Sequence, residues 1–159
     1  SDRFGKIGSS PQLERSNLVA HINAVVEYIR KRAPGKTSFI VHTGGRTEVW
    51  VPLSPPLFDW VMENLLKNAL DAMEGKGNIT VQIEEALQTV VVDVTDTGKG
   101  IAPQNMRKVF RPGFTTKRRG WGLGLSLSKR IVEQYHGGTL SVKHSEPGKG
   151  TTFRIVLKK

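Results

Sequence analysis

Between Ser54 and Glu74 the chain places apolar side chains on nearly every side of a helix. Leu57, Phe58, Val61, Met62, Leu65, Leu66, Ala69, Leu70 and Met73 recur at helical spacing and leave few directions for water. A helix of this kind has to be covered on most sides, so the rest of the chain must supply layers to bury it. One polar stripe interrupts the apolar surface: Asn64, Asn68 and Asp71 follow at i, i+4 and i+7. Buried polar groups need partners. These three either cap neighbouring backbone or face a polar ligand. An amide oxygen is a hard donor that suits Mg²⁺, which takes its remaining ligands from water and phosphate oxygens.

The other elements fit around this helix. Ser16 to Arg32 carries an apolar stripe of Leu18, Ile22, Val25, Val26 and Ile29, stopped by Pro34 and Gly35. Lys36 to His42 and Thr47 to Leu53 read as strands, with Thr43-Gly44-Gly45-Arg46 as a hairpin joining them. Ser54 before Pro55 supplies a capping hydroxyl and a first-turn proline for the central helix, and Gly75-Lys76-Gly77 ends it. Asn78 to Glu85 and Thr89 to Thr95 are rich in β-branched residues and read as strands. Asp96 to Gly120 reads as a long functional loop with one short helix from Pro103 to Val109. Gly122 to Tyr135 is a third helix, ended by Gly137-Gly138, and Thr139 to His144 and Thr151 to Leu157 close the set as strands. The expected class is α+β: a two-layer sandwich of helices on one face of a mixed sheet.

Two further segments carry chemistry. Asp96 follows a strand and opens Asp96-Thr97-Gly98-Lys99-Gly100-Ile101. A carboxylate at a strand end can accept the exocyclic amine of adenine, and Gly98 and Gly100 let backbone pass close to a base. The bland reading of the same residues is an ordinary Asp-Thr-Gly turn. The run Gly120-Trp121-Gly122-Leu123-Gly124-Leu125 leads into the third helix. Free N–H groups at such a helix start attract phosphate. The run lacks the Gly-Lys-Ser/Thr of a P-loop and the preceding strand of a dinucleotide fingerprint.

The segments ENLLKNALDAM (Glu63 to Met73), DTGKGI (Asp96 to Ile101) and RGWGLGLSLSKRIV (Arg119 to Val132), with FRPGFTTK (Phe110 to Lys117) and GKGTTF (Gly148 to Phe153), resemble the catalytic ATP-binding domain of sensor histidine kinases. That domain belongs to the superfamily of gyrase B, Hsp90 and MutL, and the NALDAM wording is closest to the nitrogen-regulatory type. The resemblance runs from about Asn17 to Lys159. It implies a Bergerat-type fold with ATP between helices and lid, and Asn68 as Mg²⁺ ligand supported by Asn64. It implies adenine contacts at Asp96, Gly98, Gly100, Ile101 and Thr151. Phosphate contacts would come from the backbone of Gly120, Gly122, Leu123, Gly124 and Leu125, with Lys67 and Lys117 as candidate cations. Phe110 and Phe114 either fill a satellite core or anchor the lid, and Trp121 either packs on the lid or fills space.

Two departures matter. Hydrolysing members of the superfamily carry a Glu four residues before the metal Asn; here that residue is Asn64, an amide with no basic lone pair. Glu63 stands about 100° round the helix from it. This favours phosphotransfer over hydrolysis. Asp71 stands where many histidine kinases carry a cation. None of the four histidines is followed by an acid; the followers are Ile22, Thr43, Gly137 and Ser145. The phosphoacceptor is therefore expected on a separate domain.

Composition narrows the partners. There are no cysteines, which removes disulfides and thiolate metal sites. No apolar run approaches the ~18 residues of a membrane span. The net charge of +10 is spread along the chain apart from Lys117-Arg118-Arg119, and no nucleic-acid-binding motif accompanies it. Residues 1–16 have linker composition and are expected to follow an upstream dimerisation and phosphoacceptor domain, with 17–159 as the catalytic domain. The expectation is a cytoplasmic, monomeric piece of a homodimeric kinase whose parent can be membrane-anchored, served by a response regulator, with no nucleic-acid or membrane contact of its own. The rival readings are a gyrase- or Hsp90-like ATPase clamp, a serine kinase of the anti-sigma type and a non-catalytic nucleotide-sensing module.

Overall fold

The computed structural model describes residues 12–114 and 124–159. The central helix, α2 (Pro55–Met73), is buried along Leu57, Phe58, Val61, Met62, Leu65, Leu66, Ala69 and Met73. Helix α1 (Leu18–Arg30) covers it on one side with Leu18, Ile22, Val25, Val26 and Ile29. Helix α3 (Gly124–Arg130) covers another, and its last turn, Ile131–Tyr135, is a wider π-helical turn.

Beneath the helices lies a five-stranded sheet in the order β2 (Lys36–His42), β4 (Lys76–Glu85), β5 (Thr89–Asp96), β7 (Gly150–Lys158), β6 (Thr139–Glu146). Only β2 and β4 run parallel; the other pairs are antiparallel. Period-two alternation sends Ile79, Val81, Ile83, Val90, Val92, Val94, Phe153, Ile155 and Leu157 to the helices. On the opposite face the Arg154 guanidinium grips Asp93 through two 2.9 Å hydrogen bonds, and Lys143 stands 3.6 Å away. Burial works to raise the Asp93 pKa, but these two cations outweigh it and hold the carboxyl below its ordinary value.

Two expectations are corrected. Thr43 to Arg46 does form a turn, closed by Arg46 N–H donating to Thr43 C=O at 3.3 Å, but it joins no hairpin. The second strand, β3 (Trp50–Leu53), pairs instead with a short strand β1 (Glu14–Asn17), in the register Glu14↔Leu53 to Asn17↔Trp50. The physical reason is burial: Val49, Val51 and Leu53 are nearly inaccessible among the helices, and pairing with β2 would pull them onto the sheet edge. Parallel pairing of β2 with β4 needs a long crossover, which β3 and α2 supply. β1 itself falls mostly within the stretch read as linker. Its last residue, Asn17, caps α1 by accepting from Val19 N–H at 3.2 Å and accepts from Val49 N–H at 3.1 Å with the same Oδ1.

The second correction lies between Pro103 and Val109. A single 3₁₀ turn at Pro103–Asn105 is followed by successive reverse turns, such as Lys108 N–H to Asn105 C=O and Arg111 N–H to Lys108 C=O.

Ser54 begins α2, yet its hydroxyl makes no capping hydrogen bond. Its backbone N–H donates to Nε2 of His136 at 3.0 Å. The other ring nitrogen of His136 lies 3.0 Å from Ile131 C=O, so the two bonds together require the neutral Nδ1–H tautomer. His136 is buried, meets Phe58 edge-on at 6.3 Å, and ties the end of α3 to the start of α2. Burial depresses its pKa, and the Ile131 hydrogen bond opposes this only in part. Protonation would replace the acceptor facing Ser54 with a donor. The folded pKa lies below the ordinary 6.5, so the unfolded chain binds more protons as pH falls through that value. The contribution is complete above about 6.5 and is lost on acidification. Urea denaturation should therefore show unfolding free energy falling between pH 7 and 5.5, and His136→Gln should flatten that slope.

Candidate functional site

One row of side chains crosses the inner face of the sheet near the end of β5. Register aligns Ile79 on β4, Asp96 on β5, Thr151 on β7 and Ser145 on β6. Asp96 and Thr151 are each only 4% exposed. The Asp96 carboxylate accepts from Gly98 N–H at 2.8 Å and also from Thr151 N–H. Desolvation raises its pKa above the ordinary value despite these two donors. A carboxylate has lone pairs for about four hydrogen bonds, so acceptor capacity remains for a ligand donor.

The loop after Asp96 is clamped from both sides. Lys99 N–H donates to Ala72 C=O at 2.9 Å, and Lys99 C=O accepts from Gly148 N–H at 2.7 Å. The backbone of Gly98 passes so close to α2 that a Cβ there would stand 2.5 Å from the Ala72 oxygen. Gly100 has φ +75°, and a Cβ on it would collide with the Glu146 oxygen in the β6–β7 turn. Ile101 N–H then donates to Ser145 Oγ at 2.8 Å, so the root of the long loop is pinned to β6.

The polar stripe of α2 faces the start of α3. Asn64 Nδ2 donates to Ser128 Oγ at 3.0 Å, and Ser128 is fully buried. That bond directs Asn64 Oδ1 at Gly124, where an added Cβ would run into it. A glycine is thus required for the first turn of α3 to seat on α2. Asn68 is half-buried one turn further along, while Lys67 and Asp71 are exposed. Leu125 packs partly against the core. The structure therefore brings Asn64 and Gly124 together, and Asp96, Gly98, Gly100, Ile101 and Thr151 together, around the C-terminal half of α2. Lys117, Gly120, Trp121, Gly122 and Leu123 lie outside the described residues.

Phe110 sits on the core. Its ring meets Phe153 edge-on at 6.1 Å, and Lys129 Nζ lies 4.8 Å from its centroid. The same ammonium reaches Glu133 at 2.8 Å and Leu140 C=O at 2.7 Å. Three residues of the site escape a reading of the sequence: Ser128, Ser145 and the backbone of Ala72. Each acts through a partner distant in the chain, and no local spacing announces it.

The family model for histidine kinase-, DNA gyrase B- and HSP90-like ATPases matches residues 53–159, which spans every part of this arrangement. The chain belongs to this family. Among curated relatives, the sensor histidine kinase ZraS of Salmonella typhi is 38% identical over 146 residues, covering 91% of this chain and 31% of that protein. This HATPase domain thus spans about a third of the length of that kinase. The catalytic domain of histidine kinase ThkA superposes with a TM-score of 0.81 at 30% identity, covering 94% of this chain and 97% of that one. ThkA in complex with the response regulator TrrA gives 0.76 at 29% identity, covering 92% of this chain and 42% of that one.

The clamp on the Gly98 loop of the HATPase domain makes a prediction independent of any ligand. Gly98→Ala should push the loop off α2, lower unfolding free energy by about 1–3 kcal/mol, and speed amide hydrogen exchange at Lys99, whose partner is Ala72 C=O.

Proposed function

We propose that this HATPase domain binds ATP with Mg²⁺ between α2, the Asp96 loop and the start of α3, and delivers the γ-phosphoryl group to a histidine on a separate helical domain of its parent protein. The observation that carries the reading is the buried Asp96 carboxylate. It is held by two backbone donors and retains acceptor capacity for a ligand donor. Asp96 takes the adenine amine, with Gly98, Gly100, Ile101 and Thr151 around the base. The backbone of Gly120, Gly122, Leu123, Gly124 and Leu125 holds the phosphates at the N-terminus of α3.

The donor set fits a divalent cation shared with the nucleotide. Among the described residues no group of three or more His, Asp or Glu side chains is placed to cage a metal. A half-buried Asn68 beside the phosphate end of the site suits a cation that takes most of its ligands from phosphate and water. Bound there, Mg²⁺ would neutralise charge on the transferring phosphoryl group. Asn68 would be its protein ligand, Asn64 would support that edge, and Lys117, with Lys67 as second candidate, would meet the terminal phosphate as a point charge.

Transfer is favoured over hydrolysis because the residue four before Asn68 is Asn64. Its amide is committed to Ser128 and cannot take a proton from water. Phosphoryl transfer asks the domain chiefly for positioning and charge neutralisation. Residues 17–159 would be the catalytic domain, 1–16 the connection to a dimerising phosphoacceptor domain, and a response regulator the downstream acceptor. The complex of ThkA with TrrA supports that partner. A cytoplasmic setting follows from the need for ATP. Among the described residues no helix is long and apolar enough to cross a membrane.

Calorimetry should show ATP binding in preference to GTP, with Asp96→Asn weakening ATP at least about tenfold and Asn68→Ala removing the Mg²⁺ dependence. The domain alone should turn ATP over negligibly yet label an added parent helical domain on histidine. Failure to bind either nucleotide would overturn the proposal.

A further inference from the structure

The two edges of the sheet are built differently. The β6 edge is interrupted by a bulge between Val142 and His144, where it also carries Lys143. Bulges and edge lysines are the common guards against pairing with another chain. The middle of the β2 edge has neither. Thr37 to Val41 run in unbroken register along β4, and among the described residues no strand lies on the other side of β2. Alternate residues of a strand turn their backbone groups to opposite edges. Arg30 Nη2 approaches Phe39 C=O at 3.5 Å, and Thr37 N–H donates back to Pro34 C=O at 3.1 Å. These contacts mark 37, 39 and 41 as the residues facing away from β4. Among the described residues, Phe39 N–H and both backbone groups of Val41 are then open to a further strand.

The side chains suit the same use. Ile40 is 46% exposed on the outer face, and Phe39 and Val41 are only partly buried on the inner one. A strand laid beside β2 would cover all three. The N-terminal end of β2 is strongly basic: Lys31, Arg32, Lys36 and Lys76 are all exposed. Lys36 and Lys76 are register partners, and like charges side by side on one face cost stability. Among the described residues none of these four cations is ion-paired to a carboxylate. The neighbouring Glu27 is taken by Arg30 at 3.7 Å, and Arg32 lies 3.7 Å over the Tyr28 ring.

Charge selects the occupant. A second copy pairing antiparallel about Phe39 would set Lys36 opposite His42 and bring together two chains of net charge +10. An acidic segment meets no such repulsion and supplies the carboxylates that the basic corner lacks. We propose that the β2 edge is a docking site for an extended acidic segment of a partner protein. The segment adds a strand to the sheet, with apolar side chains beside Ile40 and carboxylates beside Lys36, Lys76 and the end of α1. Backbone hydrogen bonds to Phe39 and Val41 supply affinity, and the basic corner supplies selectivity. The proposal is independent of the ATP reading and involves none of its residues.

The probe is the capped peptide Asp-Glu-Val-Thr-Val-Thr-Val-Glu-Asp, with a control peptide in which lysine replaces every acid. Titrated into the isotope-labelled 159-residue chain, the acidic peptide should shift the Phe39 and Val41 amides saturably and slow their hydrogen exchange. It should bind about tenfold more tightly than the lysine peptide. Ile40→Lys puts a charge on a position that is already exposed, so the rest of the spectrum should stay as it is while binding weakens about tenfold. Reversing the corner with Lys31→Glu and Arg32→Glu should remove the preference for the acidic peptide. Equal binding of the two peptides, full binding by Ile40→Lys, shifts centred on β6 instead of β2, or no binding at all would each overturn the proposal. Slowed exchange at Phe39 and Val41 that grows with the concentration of the chain alone would assign the edge to a second copy, and that too would overturn it.

Discussion

Everything in this domain is arranged around α2. An apolar surface on nearly all sides of one helix can be removed from water only by α1, α3 and the sheet together, and burial of each large side chain contributes about 1.5–3 kcal/mol. Phe58, Met62, Leu65 and Leu66 are all essentially inaccessible as a result. The helix can then afford one polar edge, and that edge is where the site forms. Asn64 is fixed by Ser128, its oxygen meets Gly124, and the glycine-led start of α3 is seated against it. The C-terminal end of the same helix clamps the Asp96 loop through Ala72.

The site itself is built on a buried charge. Taking Asp96 out of water is costly, and the two backbone N–H groups offset this only in part, each hydrogen bond to a charged group contributing about 1.5–3 kcal/mol. The raised pKa records the deficit. A ligand that donates to the carboxylate supplies what the protein leaves short. The contrast with Asp93, three residues earlier on the other face, is instructive. There Arg154 and Lys143 satisfy the charge, its pKa falls, and the acid is left to hold strands together.

Local pattern makes α2, α1 and most strands legible in the sequence; Gly98 and Gly100 read there as points where backbone passes close to a base, whereas the close approaches the structure shows are to Ala72 and Glu146. What escaped was pairing. The Thr43–Arg46 turn looked like a hairpin because a turn fixes only its own backbone, whereas the partner of β3 was chosen by burial of Val49, Val51 and Leu53. β1 is invisible because its four charged and polar residues, Glu14 to Asn17, carry no strand signal until a partner stands beside them. His136, Ser128 and Ser145 act across long stretches of chain or across strands, so only register and packing reveal them.

The central claim is that the Asp96–Thr151 row and the start of α3 are two walls of one nucleotide pocket. Titrating the isotope-labelled domain with ATP and Mg²⁺ while following backbone amide shifts tests it directly. The account predicts concerted, saturable changes at Gly98, Ile101, Gly124, Leu125 and Thr151, with the outer-face residues Lys143 and Arg154 unmoved. Shifts confined to one wall, centred on the outer face, or absent altogether would contradict it.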